Sequence, residues 1–263
     1  MNNILITIIG FSIIFLMTTF GASLVFFFKK DISQSINSFL LGIAGGIMVA
    51  ASIWSLIIPA IEMSEVSFGK FAWFPAASSI LLGGIVLALL DKIVPHMHNG
   101  THQEEGPKSH FSKSMKLFFA VTLHNIPEGL AVGFAFGAAS VSGDSAAFIS
   151  ALGLAIGIGI QNFPEGAAIS LPMRQVTGSR SKAFLFGMGS GVVEPISAIA
   201  GFFLASHLIT LQPWLLAFSA GAMLFVVAED LIPDARISEN PHTGTWGFMI
   251  GFIIMMILDV ALE

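Results

Sequence analysis

The sequence HNIPEG at residues 124–129 recurs as QNFPEG at residues 161–166, and the two copies are offset by 37 residues (162 − 125 = 37). Each copy lies in the middle of a long apolar run, where a membrane helix would normally carry leucine. The offset equals one membrane crossing, a short turn and the beginning of the next crossing. We therefore expect two consecutive antiparallel helices that bring the two copies face to face.

The composition is that of a membrane protein. Of the 263 residues, 55% are hydrophobic and only 10% are charged, with a mean hydropathy of +0.87. Soluble domains carry about 25% charged residues, so we expect the chain to be embedded in a lipid bilayer. A formal net charge of −5 without a basic stripe argues against a nucleic-acid partner. Because there is no cysteine, any metal ion must be held by nitrogen, oxygen or thioether ligands.

The predicted fold class is an all-α integral membrane protein with eight transmembrane helices in a single transport domain, residues 1–263. A helix needs about 20 apolar residues to cross a bilayer. Eight runs meet this length, and we number them spans 1–8: residues 4–28, 39–61, 71–91, 115–139, 146–172, 183–205, 212–233 and 245–262. Spans 2 and 7 each carry a proline near one end, Pro59 and Pro233. Together with the motif copies this predicts a 3+2+3 inverted repeat, relating spans 1–3 to spans 6–8 and span 4 to span 5.

The positions of lysine and arginine predict the orientation. Ten of the 11 basic residues lie in or beside four loops on one side: 29–38, 92–114, 173–182 and 234–244. By the positive-inside rule these loops are cytoplasmic, and both termini are outside a multi-pass protein of the cell (plasma) membrane. The loop 92–114 contains four histidines: His96, His98, His102 and His110. Weak metal capture by this tract and a solvated linker remain equally open explanations.

The polar side chains of the two copies are candidate metal ligands: His124, Asn125, Glu128, Gln161, Asn162 and Glu165. Residues four apart share one face of a helix, so His124 lies beside Glu128 and Gln161 beside Glu165. The polar faces of the two helices can together supply an imidazole nitrogen, carboxylates and amide oxygens to a site between spans 4 and 5.

The energetic cost of buried acids favours a metal ion. A carboxylate at the bilayer centre costs about 2.5–3.5 kcal/mol. Glu128, Glu165 and Glu194 lie deep in apolar runs, and spans 4–6 have no lysine or arginine close enough to pair with them. The acids are either protonated or share a divalent cation. The imidazole of His124 beside Glu128 favours the cation, because this pair suits zinc, iron and manganese.

Proline and glycine in each copy fit a site as well as a simple kink. Pro127 and Pro164 lack an N–H, which frees the carbonyl four residues earlier in each helix. Gly129 and Gly166 are expected to leave room beside each site. The alternative is that each P-E-G triplet is a structural kink with a protonated glutamate.

Four further residues are candidates for the site or its surroundings. Glu194, followed by Pro195, is a third carboxylate in span 6. Met48 in span 2 either offers a thioether or fills space, as buried methionines usually do. Glu229 and Asp230 near the end of span 7 are either part of an exit vestibule or helix-end charges.

The paired HNIPEG and QNFPEG motifs and the Glu194-Pro195 pair resemble the ZIP family of divalent metal transporters, specifically its GufA-like branch. This resemblance covers the whole chain and implies a binuclear site. The first ion is then held by His124, Glu128, Gln161 and Glu165, with Met48 nearby. The second ion is held by Asn125, Glu128, Asn162, Glu165 and Glu194, with the two motif glutamates bridging. Gln161 and Asn162 stand where other members can have histidine and aspartate, which lowers the basicity and charge of the site.

The predicted function is therefore uptake of Zn²⁺, and of Fe²⁺, Mn²⁺, Co²⁺ or Cd²⁺, into the cytoplasm without an organic cofactor. The resemblance also implies a homodimer and an elevator-like motion. One alternative is a proton-coupled carrier of an organic substrate that uses the glutamates as relays. Another is an intramembrane zinc hydrolase, although the H-x-x-x-E spacing differs from HExxH and no separate general base stands out.

Overall fold

The computed structural model describes residues 3–28, 33–97, 104–108, 110–235 and 242–262. The α-helices are α1 (Asn3–Ser23), α2 (Gln34–Ala51), α3 (Ile58–Phe68), α4 (Trp73–Ile93), α5 (Lys113–Ser142), α6 (Ser145–Thr177), α7 (Arg180–Ser190), α8 (Val193–His207), α9 (Gln212–Val226), α10 (Ile232–Ala235) and α11 (His242–Leu262). Single 3₁₀ turns cover Leu24–Phe26, Gly69–Phe71 and Ile209–Leu211, and π-helical segments cover Ser52–Ile57 and Val227–Leu231.

Eight helical rods in the described part of the chain are long and apolar enough to cross a membrane, as predicted. They are Asn3–Phe26, Gln34–Phe71, Trp73–Ile93, Ser114–Ser142, Ser145–Thr177, Arg180–His207, Ile209–Ala235 and His242–Ala261, which we keep as spans 1–8. The prediction of an all-α, eight-span membrane protein is confirmed.

The loop between spans 3 and 4 contains a two-residue antiparallel hairpin, in which β1 (His96–Met97) pairs with β2 (Glu104–Glu105). His96 is opposite Glu105 in this register. His98 and His102 lie outside the described residues, and His110 is exposed. The proposal that these four histidines capture metal therefore stays a prediction.

Spans 4 and 5, which carry the two motifs, are joined by a short turn. Span 4 begins where Ser112 accepts a hydrogen bond from the Met115 amide, and it ends at Gly143, whose φ of +68° suits glycine. Asp144 then caps span 5 through the Ala146 amide. Since only residues 143 and 144 separate the two helices, they run antiparallel as neighbours. Both helices continue through their motif prolines, Pro127 and Pro164.

The packing of the spans has the pairing that a 3+2+3 inverted repeat requires. Span 1 packs along span 5, and span 4 packs along span 6. Span 2 packs along span 8, and span 3 packs along span 7. The inverted repeat exchanges spans 1–3 with spans 6–8, and span 4 with span 5. Under this exchange the pair of spans 1 and 5 becomes the pair of spans 6 and 4. The pair of spans 2 and 8 likewise becomes the pair of spans 7 and 3.

The two π-helical segments also match under this exchange. The segment in span 2 ends two residues before Pro59, and the segment in span 7 ends two residues before Pro233. A π-helical turn is usually short and often lies at a functional site, because it widens the helix and shifts the side chains that follow. The weak sequence echo between spans 2 and 7 therefore corresponds to a shared backbone irregularity.

The room expected beside the motif glycines is filled by neighbouring helices. A Cβ atom at Gly166 would lie 2.0 Å from the Thr18 carbonyl oxygen of span 1. A Cβ atom at Gly129 would lie 2.2 Å from Ser197 Oγ and 2.3 Å from the Glu194 carbonyl oxygen of span 6. Both glycines thus permit close helix packing and not an open space next to the site.

We predict that Gly133→Ala destabilises the protein. At Gly133 an added Cβ would lie 2.2 Å from the Ala198 carbonyl oxygen, whereas at Gly189 the nearest atom would be Phe118 Cε2 at 3.9 Å. Overpacking costs about 1–3 kcal/mol, so the thermal midpoint in detergent should fall by about 2–10 °C. The matched control Gly189→Ala should leave the midpoint unchanged or raise it, because alanine favours a helix. Equal midpoints for the two variants would contradict the close packing of spans 4 and 6.

Candidate metal centre

The polar residues of the two motifs lie inside the protein, on the facing helices of spans 4 and 5. The side chains of Asn125, Glu128, Gln161 and Asn162 are completely buried, and Glu165 is 8% exposed. A direct hydrogen bond links the motifs, because Gln161 Nε2 donates to Glu128 Oε1 at 2.7 Å. The structure therefore brings the two copies together, as their spacing predicts.

A second set of hydrogen bonds centres on Glu194 of span 6, which is also completely buried. Its Oε1 accepts from Thr18 Oγ1 at 2.7 Å and from Asn125 Nδ2 at 3.1 Å. Its Oε2 accepts from Asn162 Nδ2 at 2.7 Å. One carboxylate thus connects spans 1, 4, 5 and 6.

Five buried oxygen atoms of the motif residues have no hydrogen-bond donor: Asn125 Oδ1, Glu128 Oε2, Gln161 Oε1, Asn162 Oδ1 and Glu165 Oε2. Each unpaired buried acceptor costs about 1–3 kcal/mol, and an acid costs more. Buried polar groups are normally satisfied, so a concentration of unpaired oxygens on two facing helices requires an explanation. All five are acceptors, and a cation is the partner that would satisfy them together.

Three of these five oxygens belong to amides and two belong to acids. Within the described ranges, no group of three histidine or acidic side chains is already gathered as a metal site. The mixture of amide and carboxylate oxygens is a hard, weakly basic donor set, to which His124 adds one imidazole nitrogen.

His124 of span 4 contacts span 7. Its Nε2 lies 3.1 Å from Asp230 Oδ2, and the two side chains are 12% and 10% exposed. A cavity of about 60 Å³, which we call the His124 cavity, is lined by His124, Glu165, Asp230 and Asp234 among others. The neighbouring Glu229 is exposed. Of the two acids at this point in the sequence, Asp230 therefore lines the His124 cavity and Glu229 does not.

The comparisons with known proteins agree with this architecture. The family profile described as ZIP Zinc transporter matches residues 108–259, which is more than half of the chain. The chain is 36% identical over 323 aligned positions to the human protein named Zinc transporter ZIP11, with 94% of each chain covered. It is 34% identical over 235 positions to Zinc transporter GufA of Myxococcus xanthus, covering 89% of this chain and 90% of the relative.

The chain belongs to the ZIP family. A third relative, Zinc transporter ZupT of Chlorobaculum parvum, is 34% identical over 248 positions, with 89% and 90% of the two chains covered. The resemblance inferred from HNIPEG, QNFPEG and Glu194-Pro195 is confirmed, including its GufA-like relatives.

Met48, which the resemblance to the ZIP family puts beside the first ion, is completely buried in the main hydrophobic cluster. It lies four residues before the first π-helical segment, and its carbonyl accepts a hydrogen bond from Ser52 Oγ at 2.7 Å. Met223 of span 7, equally buried, lies four residues before the second segment. The two methionines are therefore equivalent positions of the inverted repeat, which the sequence reasoning missed.

A second cavity lies at the opposite ends of spans 4 and 5, beside their connecting turn. This turn-side cavity has a volume of about 330 Å³, and Ser55, Glu62, Ser142, Asp144 and Ser150 provide its polar lining. The motifs of this ZIP protein lie between the turn-side cavity and the His124 cavity, because residues 124–129 are in the middle of span 4.

We predict that Glu128→Gln stabilises the protein in a chelating buffer. The new amide oxygen still accepts from Gln161 Nε2, the buried charge disappears, and the new amide nitrogen replaces the unpaired Glu128 Oε2 at a site whose other unpaired atoms are acceptors. Removing an unpaired buried charge should raise the thermal midpoint by about 2–6 °C. The same substitution should abolish the additional rise that Zn²⁺ gives to the wild type. A lower midpoint in chelator would contradict a site built for a cation.

Proposed function

We propose that this ZIP protein transports Zn²⁺ across the membrane through the site between spans 4 and 5. The observation that carries the proposal is the set of five unpaired, buried acceptor oxygens on the two motifs. Three relatives that align over most of the chain are named zinc transporters. Transport and not catalysis is the activity that these names and the internal, two-sided arrangement support.

The ligand chemistry suits an ion that must leave again. Zinc is bound well by imidazole and carboxylate, and structural zinc sites often add thiolates, which this cysteine-free chain cannot supply. Amide oxygens bind more weakly, so a site rich in them releases its ion more readily. The same oxygen-rich set can accept Fe²⁺, Mn²⁺, Co²⁺ and Cd²⁺.

The proposed site holds two ions. His124, Glu128, Gln161 and Glu165 surround the first. The amide oxygens of Asn125 and Asn162 face the second, which the two glutamates share with the first. The two glutamates neutralise the charge of one divalent cation inside the bilayer, where an isolated carboxylate is costly, and a second cation leaves them with a net charge of +2.

The two cavities give a route. An ion enters at the turn-side cavity, where Glu62 and Asp144 are the acids, and binds between the motifs. It leaves through the His124 cavity, where Asp230 and Asp234 are the acids nearest to the side of the basic loops. With the basic loops in the cytoplasm this route runs inward across the plasma membrane, toward the His-containing loop 92–114.

The packing of the spans offers a mechanism for alternating access. Spans 1, 4, 5 and 6 contact each other through the motif region, and spans 2, 3, 7 and 8 form the other group. A movement of the first group along the second would carry the site from one cavity to the other, as in an elevator. Lipid surrounds the bundle, and a homodimer would anchor the second group.

Uptake into proteoliposomes tests the function. Wild-type protein should give saturable Zn²⁺ uptake, and Glu128→Ala and Glu165→Ala should reduce it by at least about tenfold, a loss of about 1.4 kcal/mol or more of ion stabilisation. Glu229→Ala is the matched control, because Glu229 is an exposed acid next to the site residue Asp230. Absence of Zn²⁺ uptake by the wild type, or equal losses in all three variants, would refute the proposal.

Cysteine labelling tests the orientation. Val141 and Val176 are 40% and 55% exposed, and each lies two residues before the glycine that ends its span. In intact cells a membrane-impermeant maleimide should label Val141→Cys and not Val176→Cys, since the chain has no other cysteine. Both should react after permeabilisation. Labelling of Val176→Cys alone in intact cells would reverse the proposed topology and the direction of transport.

A further inference from the structure

Each motif asparagine has a side-chain nitrogen that is hydrogen-bonded to Glu194 and a side-chain oxygen without a donor. Asn125 Nδ2 donates to Glu194 Oε1 at 3.1 Å and to the Ser190 carbonyl at 3.0 Å. Asn162 Nδ2 donates to Glu194 Oε2 at 2.7 Å and to the Ile14 carbonyl at 3.4 Å. An amide that turned over would put its oxygen against these acceptors, so the carboxylate fixes which end is nitrogen.

The oxygen of each asparagine consequently points away from Glu194. The Oδ1 atoms of Asn125 and Asn162 are buried and have no donor. Each lies on the branch of the amide opposite to the anchored nitrogen. The orientation of these two unpaired oxygens therefore depends on the carboxylate behind them.

Most acceptor positions of the Glu194 carboxylate are already used. Thr18 and Asn125 both donate to Oε1, and Asn162 donates to Oε2, so three of the about four acceptor positions of the carboxylate are used. Glu128 and Glu165, in contrast, each have an oxygen without a donor. A cation approaching Glu194 would meet N–H and O–H donors, whereas at the motif glutamates it would meet free oxygens.

We infer that Glu194 is a positioning residue and not a ligand of the transported ion. It holds spans 1, 4, 5 and 6 together through Thr18, Asn125 and Asn162 and turns the two asparagine oxygens toward the ion. This inference rests on the proposed function for the identity of the ion. The stability of the ion-free protein tests it independently of transport.

The first experiment is thermal unfolding in chelator. Glu194→Gln keeps one acceptor oxygen but presents an amide donor to Asn162 Nδ2, so the midpoint should fall by about 5 °C. Adding Asn162→Asp supplies an acceptor for that donor, and the double variant should recover most of the loss. Glu128→Gln is the matched control and should not fall. A midpoint of Glu194→Gln equal to or above that of the wild type would overturn the inference. That result is expected of a ligand, because a buried acidic ligand destabilises the protein when its ion is absent.

The second experiment separates positioning from general stability. In Glu194→Gln the Asn162 amide must turn over, which removes its oxygen from the site. The KM for Zn²⁺ uptake should therefore rise about tenfold and return toward the wild-type value in the double variant. An unchanged KM with a lower maximal rate would show that Glu194 acts only on stability and would overturn the positioning role.

If Glu194→Gln cannot be purified, Thr18→Val replaces it, because valine has the same shape without the donor. Its midpoint in chelator should fall by about 3 °C, whereas Thr18→Ser should keep the wild-type value. Equal midpoints for the two Thr18 variants would overturn the inference. If the wild type moves no Zn²⁺, the proposed function fails, while the chelator series still decides the role of Glu194 within the bundle.

Discussion

The structure depends on one constraint, which is that three glutamates, Glu128, Glu165 and Glu194, are buried close to one another on spans 4, 5 and 6. The protein treats them in two ways. Glu194 is surrounded by three donors, whereas Glu128 has one donor and one unpaired oxygen, and Glu165 also has an unpaired oxygen. Because an unpaired buried acid is costly, this difference determines where a cation gains most by binding. The helix packing around spans 4 and 5 keeps the three glutamates in these different hydrogen-bond environments.

Much of the architecture follows from the sequence because the bilayer fixes the length of an apolar helix. All eight spans were predictable, and the tandem motifs correctly indicated that spans 4 and 5 are neighbours. Span 2 was predicted too short, since its helical rod runs over Gln34–Phe71. Its last turns contain the exposed residues Glu62 and Glu65, and polar helical turns beyond the apolar core give no hydropathy signal. The family membership followed from the same motifs, because their polar residues cannot be explained by helix propensity.

The partners of the motif residues could not be predicted. Thr18 looks ordinary in a membrane helix, because threonine commonly bonds to its own helix, as Thr18 also does to the Ile14 carbonyl at 3.2 Å. Glu229 and Asp230 differ by about 100° around a helix, and the π-helical segment Val227–Leu231 changes which of them faces the site. Lys116 was expected beside the loop and is 5% exposed at the start of span 4. Each of these outcomes depends on neighbouring helices that local sequence does not specify.

The inverted repeat explains why a single acid can serve both asparagines. The Thr18 carbonyl packs against Gly166 of the second motif, and the Glu194 carbonyl packs against Gly129 of the first. Thr18 and Glu194 are therefore equivalent positions of the two halves, just as Asn125 and Asn162 are. Two acids at these positions would face each other and repel, and two threonines would leave the asparagine nitrogens without a charged acceptor. Instead, Thr18 of one half donates a hydrogen bond of 2.7 Å to Glu194 of the other half. This bond joins the two halves at the centre of the bundle. This departure from symmetry lies where the two halves meet, which is also where we propose that the ion is bound.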